Sequence, residues 1–174
     1  MSKKEALREL QNRLAERMKA VRTEQPGLSW LAVDCAGQGV LFPLRLAGEI
    51  FELQGLAPVP HTQPWLIGVA NLRGGLYTVV DLAAFLGLCA ARRGALPEHQ
   101  RLVAFNASMG LNCALLVDKL EGLRHAADLQ READDGMARP AFAVARWRDS
   151  SGKVWQEIAL AELATHEMFL GIAG

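Results

Sequence analysis

Gly68-Val69-Ala70-Asn71-Leu72-Arg73-Gly74-Gly75-Leu76-Tyr77-Thr78-Val79-Val80-Asp81-Leu82 decides the class of fold. Two aliphatic, β-branched runs flank a segment with paired glycines, which is the pattern of a hairpin. Asn71, Gly74 and Gly75 are assigned to its turn, because asparagine and glycine tolerate the positive φ that a tight hairpin demands. Arg73 then stands at the tip. Asp81 ends the second run just before Leu82–Leu88, a short helical stretch stopped by Gly87, where a carboxylate caps amide donors.

Similar units lie on both sides. Upstream, Trp30-Leu31-Ala32-Val33-Asp34-Cys35 alternates between two faces. The turn Ala36-Gly37-Gln38-Gly39 returns it as Val40-Leu41-Phe42, and Pro43, lacking a ladder donor, closes that strand. Downstream, a loop with Gly94 and Pro97 leads to Arg101–Phe105, a turn at 107–110, and Leu111–Val117. Phe142–Trp147 and Val154–Ile158 make a fourth hairpin around Asp149-Ser150-Ser151-Gly152. The stretch 128–139 reads as a polar loop with a helical turn, and Leu160–Leu170 as a closing helix with Leu160, Leu163 and Met168 inward. Short strands with turn signals every ~8 to 12 residues imply an all-β barrel or sandwich. Four hairpins in two groups predict two small barrels, at approximately 27–96 and 97–160, with strands possibly exchanged between them. Gly68 is placed where backbone approaches closely, between barrels or against a partner helix.

Residues 1–26 form a separate unit. Leu7, Leu10, Leu14, Met18 and Val21 recur at spacings of three and four, so residues 3–22 are an amphipathic helix ended by Pro26-Gly27. Its expected place is against its own barrel, since isolated helices of this length are marginal in water. A partner-binding helix is the alternative.

The 174 residues carry 19 basic and 19 acidic side chains, a net charge of zero, and 51% are hydrophobic. A chain of this size buries roughly 70% of its unfolded surface and needs no disulfide or metal to fold. Neutrality disfavours nucleic acid as a partner; Arg92-Arg93 and Arg146-Trp147-Arg148 are the only basic candidates. Cys35, Cys89 and Cys113 form no CxxC pair and read as reduced, structural thiols. The four histidines lack metal-ligand spacing, and no phosphate-binding or nucleophile motif occurs. No catalysis, cofactor or metal is expected. No apolar run reaches the ~18 residues of a membrane span, so direct membrane insertion is not expected and a cytoplasmic location is.

The segment Pro58–Gly74 followed by Val79-Val80-Asp81-Leu82 resembles the signature of the CheW family: a proline-containing loop, an aromatic, Gly-Val-x-Asn-Leu-Arg-Gly, then a strand ending in Val-Asp-Leu. Cys113-Ala114-Leu115-Leu116-Val117-Asp118 is similar to the family's later strand ending in Val-Asp. The resemblance spans roughly residues 28 to 165. It implies two SH3-like five-stranded barrels sharing a core, flanked by N- and C-terminal helices. It implies a non-catalytic adaptor between the cytoplasmic tip of chemoreceptors and the regulatory domain of a CheA-type histidine kinase, recruited to receptor arrays. It also implies pairing of Arg73 with Glu49, and a partner surface including Glu49, Gly68, Asn71, Arg73, Gly74, Val80 and Val117. Thr78 stands where the family usually has proline. The long leading helix and the C-terminal segment look more like the branch serving type IV pili than the flagellar one. An SH3-like nucleic-acid module and a small hydrolase are the competing classes. Trp147 and Trp155 are interface anchors if exposed, and core if buried.

Overall fold

The computed structural model describes residues 3–23, 27–92 and 96–174. Pro26, Arg93 and Gly94, and the side chains of Met18 and Val21, lie outside the described set. Helix α1 (Lys3–Thr23) leads into eleven strands among the described residues. These are β1 (Ser29–Cys35), β2 (Gln38–Pro43), β3 (Ala47–Glu52), β4 (Leu66–Leu72), β5 (Gly75–Asp81), β6 (Arg101–Phe105), β7 (Cys113–Val117), β8 (Lys119–His125), β9 (Leu129–Arg131), β10 (Ala143–Asp149) and β11 (Val154–Ile158). Helix α2 (Leu82–Phe85) follows β5, and α3 (Leu160–Thr165) and α4 (Glu167–Leu170) close the chain.

The strands form two sheets, ordered β8-β1-β2-β11-β10-β9 and β3-β6-β7-β5-β4. All four expected hairpins are present as antiparallel pairs. Two parallel pairings, β2 with β11 and β5 with β7, join them into sheets. The five-stranded sheet is continuous in sequence from β3 to β7, whereas the other is assembled from both ends of the chain. The boundary expected near residue 96 therefore falls between β5 and β6, inside one sheet. The other sheet has six strands, one more than expected, because the stretch read as a polar loop begins with the strand β9.

Side-chain alternation explains the double architecture. Ala114 and Leu116 of β7 face the interior of the five-stranded barrel, with Ala70, Leu72, Val79 and Leu102. Trp30, Ala32, Leu41 and Trp155 fill the six-stranded one. The opposite faces, Leu31, Val33, Val40, Phe42, Val80, Val103, Leu115 and Val117, form a third cluster joining the two sheets. A strand buried on both faces reads as an unbroken apolar run, which is why Cys113–Val117 shows no polar alternation.

Trp155 is 1% exposed and Trp147 half-buried, so both serve the core and neither is an exposed anchor. Glu157 accepts from two indoles, Trp30 Nε1 at 3.1 Å and Trp147 Nε1 at 2.8 Å. Glu157→Ala strands both donors and is expected to cost about 2 kcal/mol, measured as a lowered urea midpoint with unchanged slope.

Two expectations are corrected. The C-terminal segment is two short helices, because His166 leaves helical geometry (ψ 133°) and its Nδ1 accepts from the Met168 amide at 3.3 Å. The break rotates Phe169 inward, 3% exposed against Trp65, Phe85 and Phe105, and leaves Met168 62% exposed. Helix α1 does not bury its leucines on the barrel: every described side chain from residue 5 to 15 is exposed.

Candidate interaction surface

The β4–β5 hairpin closes through a two-residue turn, with Leu72 opposite Gly75. Positive φ falls on Arg73 (48°) and Gly74 (79°), not on Asn71 or Gly75. This is the type I′ geometry that matches strand twist. Asn71 instead supports the turn from outside, its Oδ1 accepting from the Gly74 amide at 2.9 Å. Holding arginine in the left-handed region projects its side chain off the hairpin end.

Glu49 meets it there, Oε1 lying 2.5 Å from Arg73 Nη1. The register of β3 against β6 slips between Ala47 and Ile50, so Gly48 and Glu49 leave the ladder. Gly48 permits this because a Cβ there would lie 2.8 Å from the Phe105 carbonyl oxygen. The ion pair thus ties the β4–β5 turn, at one edge of the five-stranded sheet, to β3 at the other edge. Both partners are more than half exposed, so the bridge itself is worth only about 0 to 1 kcal/mol. Exposed apolar side chains accompany it: Leu76, 65% exposed and opposite Asn71 in register, and Ile50, 42% exposed and next to Glu49.

Gly68 is buried farther along β4, opposite Val79. At φ 150° it lets the segment after β3 close the barrel, with Ala57 and Val69 exchanging two 2.8 Å backbone hydrogen bonds. The close approach is therefore internal. Val80 (2% exposed) and Val117 (0%) belong to the central cluster and present no surface of their own. Any part they have in docking runs through the packing beneath it.

A family model, the CheW-like domain, matches residues 29–168. The chain belongs to the CheW-like family. It is also similar to Protein PilI of Pseudomonas aeruginosa, 29% identical over 115 residues that cover 65% of this chain and 61% of that protein. The match thus spans less than two thirds of that relative's length. The solved structure of the scaffolding protein TtCheW from Thermoanaerobacter tengcongensis superposes with a TM-score of 0.63. It is 18% identical, covering 77% of this chain and 85% of that one, a likeness of fold.

This CheW-like chain also carries an ionic junction that sequence reasoning missed. Parallel pairing of β5 with β7 places Asp81 and Asp118 at the same end of the sheet. Two carboxylates there repel unless a cation intervenes. Arg92 supplies it, Nε 3.1 Å from Asp81 Oδ2 and Nη2 3.2 Å from Asp118 Oδ2, with Nη1 on Asp118 Oδ1. Asp118 also accepts from Gln100 Nε2 at 2.8 Å and from the Ala36 amide at 2.6 Å. It thereby ties the five-stranded sheet to the β1–β2 turn of the other. Burial works against the Asp118 charge, but the Arg92, Ala36 and Gln100 hydrogen bonds hold its carboxyl below the usual range. Asp81, 0% exposed, moves the other way: burial raises it despite Arg92 and the Ala84 amide.

Arg92 is therefore committed to carboxylates and not to a nucleic-acid surface. Arg146 likewise pairs with Asp135 at 2.9 Å, and Arg148 with Glu132 at 2.6 Å. Cys35, Cys89 and Cys113 are free thiols. Burial pushes the Cys113 thiol up to about 12 and Cys35 higher still, so both stay protonated and unreactive at neutral pH.

Proposed function

We propose that this protein is a non-catalytic adaptor coupling the cytoplasmic tips of chemoreceptors to the regulatory domain of a CheA-type histidine kinase. The observation that carries the reading is the family's Asn-Leu-Arg-Gly hairpin held rigidly at a barrel end, its arginine fork braced by Glu49 and flanked by Leu76 and Ile50. Arginine beside aliphatic surface is the composition of protein–protein hot spots. The likeness to PilI supports service in a type IV pilus chemosensory system; a flagellar system is the alternative. Its place of action is the cytoplasmic receptor array, where weak single contacts gain strength through effective concentration.

Arg73→Ala is expected to leave the melting temperature within about 2 °C of the parent, because an exposed pair contributes little. Binding of a receptor-tip fragment is expected to weaken about tenfold. Unchanged binding by the folded variant would remove Arg73 from the contact. The charge swap Glu49→Arg with Arg73→Glu separates two roles. Recovery of binding identifies the pair as a brace, whereas persistent loss places the arginine itself on the partner.

A further inference from the structure

Helix α1 leaves an apolar stripe uncovered. Leu7, Leu10 and Leu14 are 57%, 56% and 52% exposed on a helix whose described side chains are all exposed. At ~100° per residue these three positions fall within about 60° of arc. Its charges are ordered about that stripe. Positions Lys4 and Arg22 fall on one flank and Arg13 and Arg17 on the other, while Glu5, Glu9 and Glu16 fall on the far side, together with Arg8 and Lys19. Lys3 stands at the stripe's N-terminal end. With seven basic and three acidic residues the helix is net +4, whereas the chain as a whole is neutral, so the remainder carries −4.

We infer that α1 is an interfacial helix that lies on an anionic lipid surface, leucines toward the acyl chains and flanking cations among the headgroups. Lysine and arginine stems extend along apolar surface while their charged ends stay in the polar layer, so flanking positions suit them. Acidic residues then face away from the anionic plane. Arg13 also bonds Glu9 at 3.2 Å, an exposed pair readily exchanged for a headgroup. A second copy of the helix is a poorer occupant: both copies carry +4, and Arg17 falls where a 7-10-14-17-21 heptad seam requires an apolar residue. No described helix is long and apolar enough to cross a membrane, so the contact is with the surface plane. This inference is independent of the adaptor reading.

The test is co-sedimentation of the full chain with vesicles of phosphatidylcholine alone or mixed with phosphatidylglycerol. Partitioning is expected to rise at least about tenfold with the anionic lipid. It should fall about tenfold when salt is raised from about 0.1 M to about 1 M, which shortens the screening length from about 10 Å to about 3 Å. Leu10→Asp should abolish binding while tryptophan near-UV dichroism, which reports the barrel, stays unchanged. Three results would overturn the proposal. One is equal partitioning to both vesicle types; another is salt-sensitive binding that survives Leu10→Asp. The third is a concentration-dependent increase in mass, lost in Leu10→Asp, which would show that a second copy covers the stripe.

Discussion

Arg92→Met is expected to destabilise the fold by about 3 to 5 kcal/mol at pH 7, the range for removing one member of a buried ion pair. The size follows from what is left behind. Asp81 is 0% exposed and keeps one amide donor at 3.3 Å, while Asp118 loses its two-point contact at the crossing from one sheet to the other. Methionine fills much of the arginine stem's volume, so the loss reports charge more than packing.

The pH dependence separates this explanation from a simple cavity. A carboxyl held low in the folded state, as Asp118 is, stabilises above its unfolded pKa, and that contribution is lost as pH falls through its folded value. A carboxyl raised in the folded state, as Asp81 is, does the reverse: protonating it favours folding. In the parent the two slopes oppose. Without Arg92 the Asp118 contribution shrinks and the Asp81 liability grows. The deficit of Arg92→Met should therefore narrow on acidification from neutrality toward the carboxylate range, read from urea midpoints across that window. A deficit independent of pH would mean that packing and not charge was lost.

Gly68→Val is expected to cost about 3 to 5 kcal/mol by a different route. A Cβ at Gly68 would stand 2.4 Å from the Ala57 carbonyl oxygen and 2.9 Å from its carbon, both backbone atoms that cannot swing aside. Overpacking of this kind costs about 1 to 3 kcal/mol, and forcing a β-branched residue to φ 150° adds about 1 to 3 more. The cheapest relief is to release the 57–69 pairing and open the five-stranded barrel. Limited proteolysis should then cut within residues 53–65 faster than in the parent. A variant within about 1 kcal/mol of the parent, with no new cleavage, would show that this closure is dispensable.

The hairpins were legible because each is local: alternation, then turn residues, then alternation, all within about twenty residues. The parallel pairings were not, since nothing in β2 names β11 as its neighbour, with Leu41 opposite Glu157, 116 positions away. Those pairings decide which strands share a sheet, so a division near residue 96 does not follow the sheets, and the strands outside the four hairpins, β3, β8 and β9, carry no local turn signal that marks them. The same limit applies to the sites. Arg73 and Glu49 were legible through a motif, whereas Arg92 joins two aspartates 11 and 26 positions away that become neighbours only through the parallel pair. Val80 and Val117 read as partner surface from the sequence because apolar residues within a motif look alike whether they face a partner or a second core. The end of a helix is equally local: His166 interrupts the closing helix through its own backbone geometry, and a continuous apolar period concealed that break.

The most direct test of the adaptor role is reconstitution of the cognate receptor and CheA-type kinase with and without this protein, reading kinase autophosphorylation. Receptor-dependent stimulation should require the protein and fall sharply with the folded Arg73→Ala variant. Equal stimulation in its absence would contradict the account.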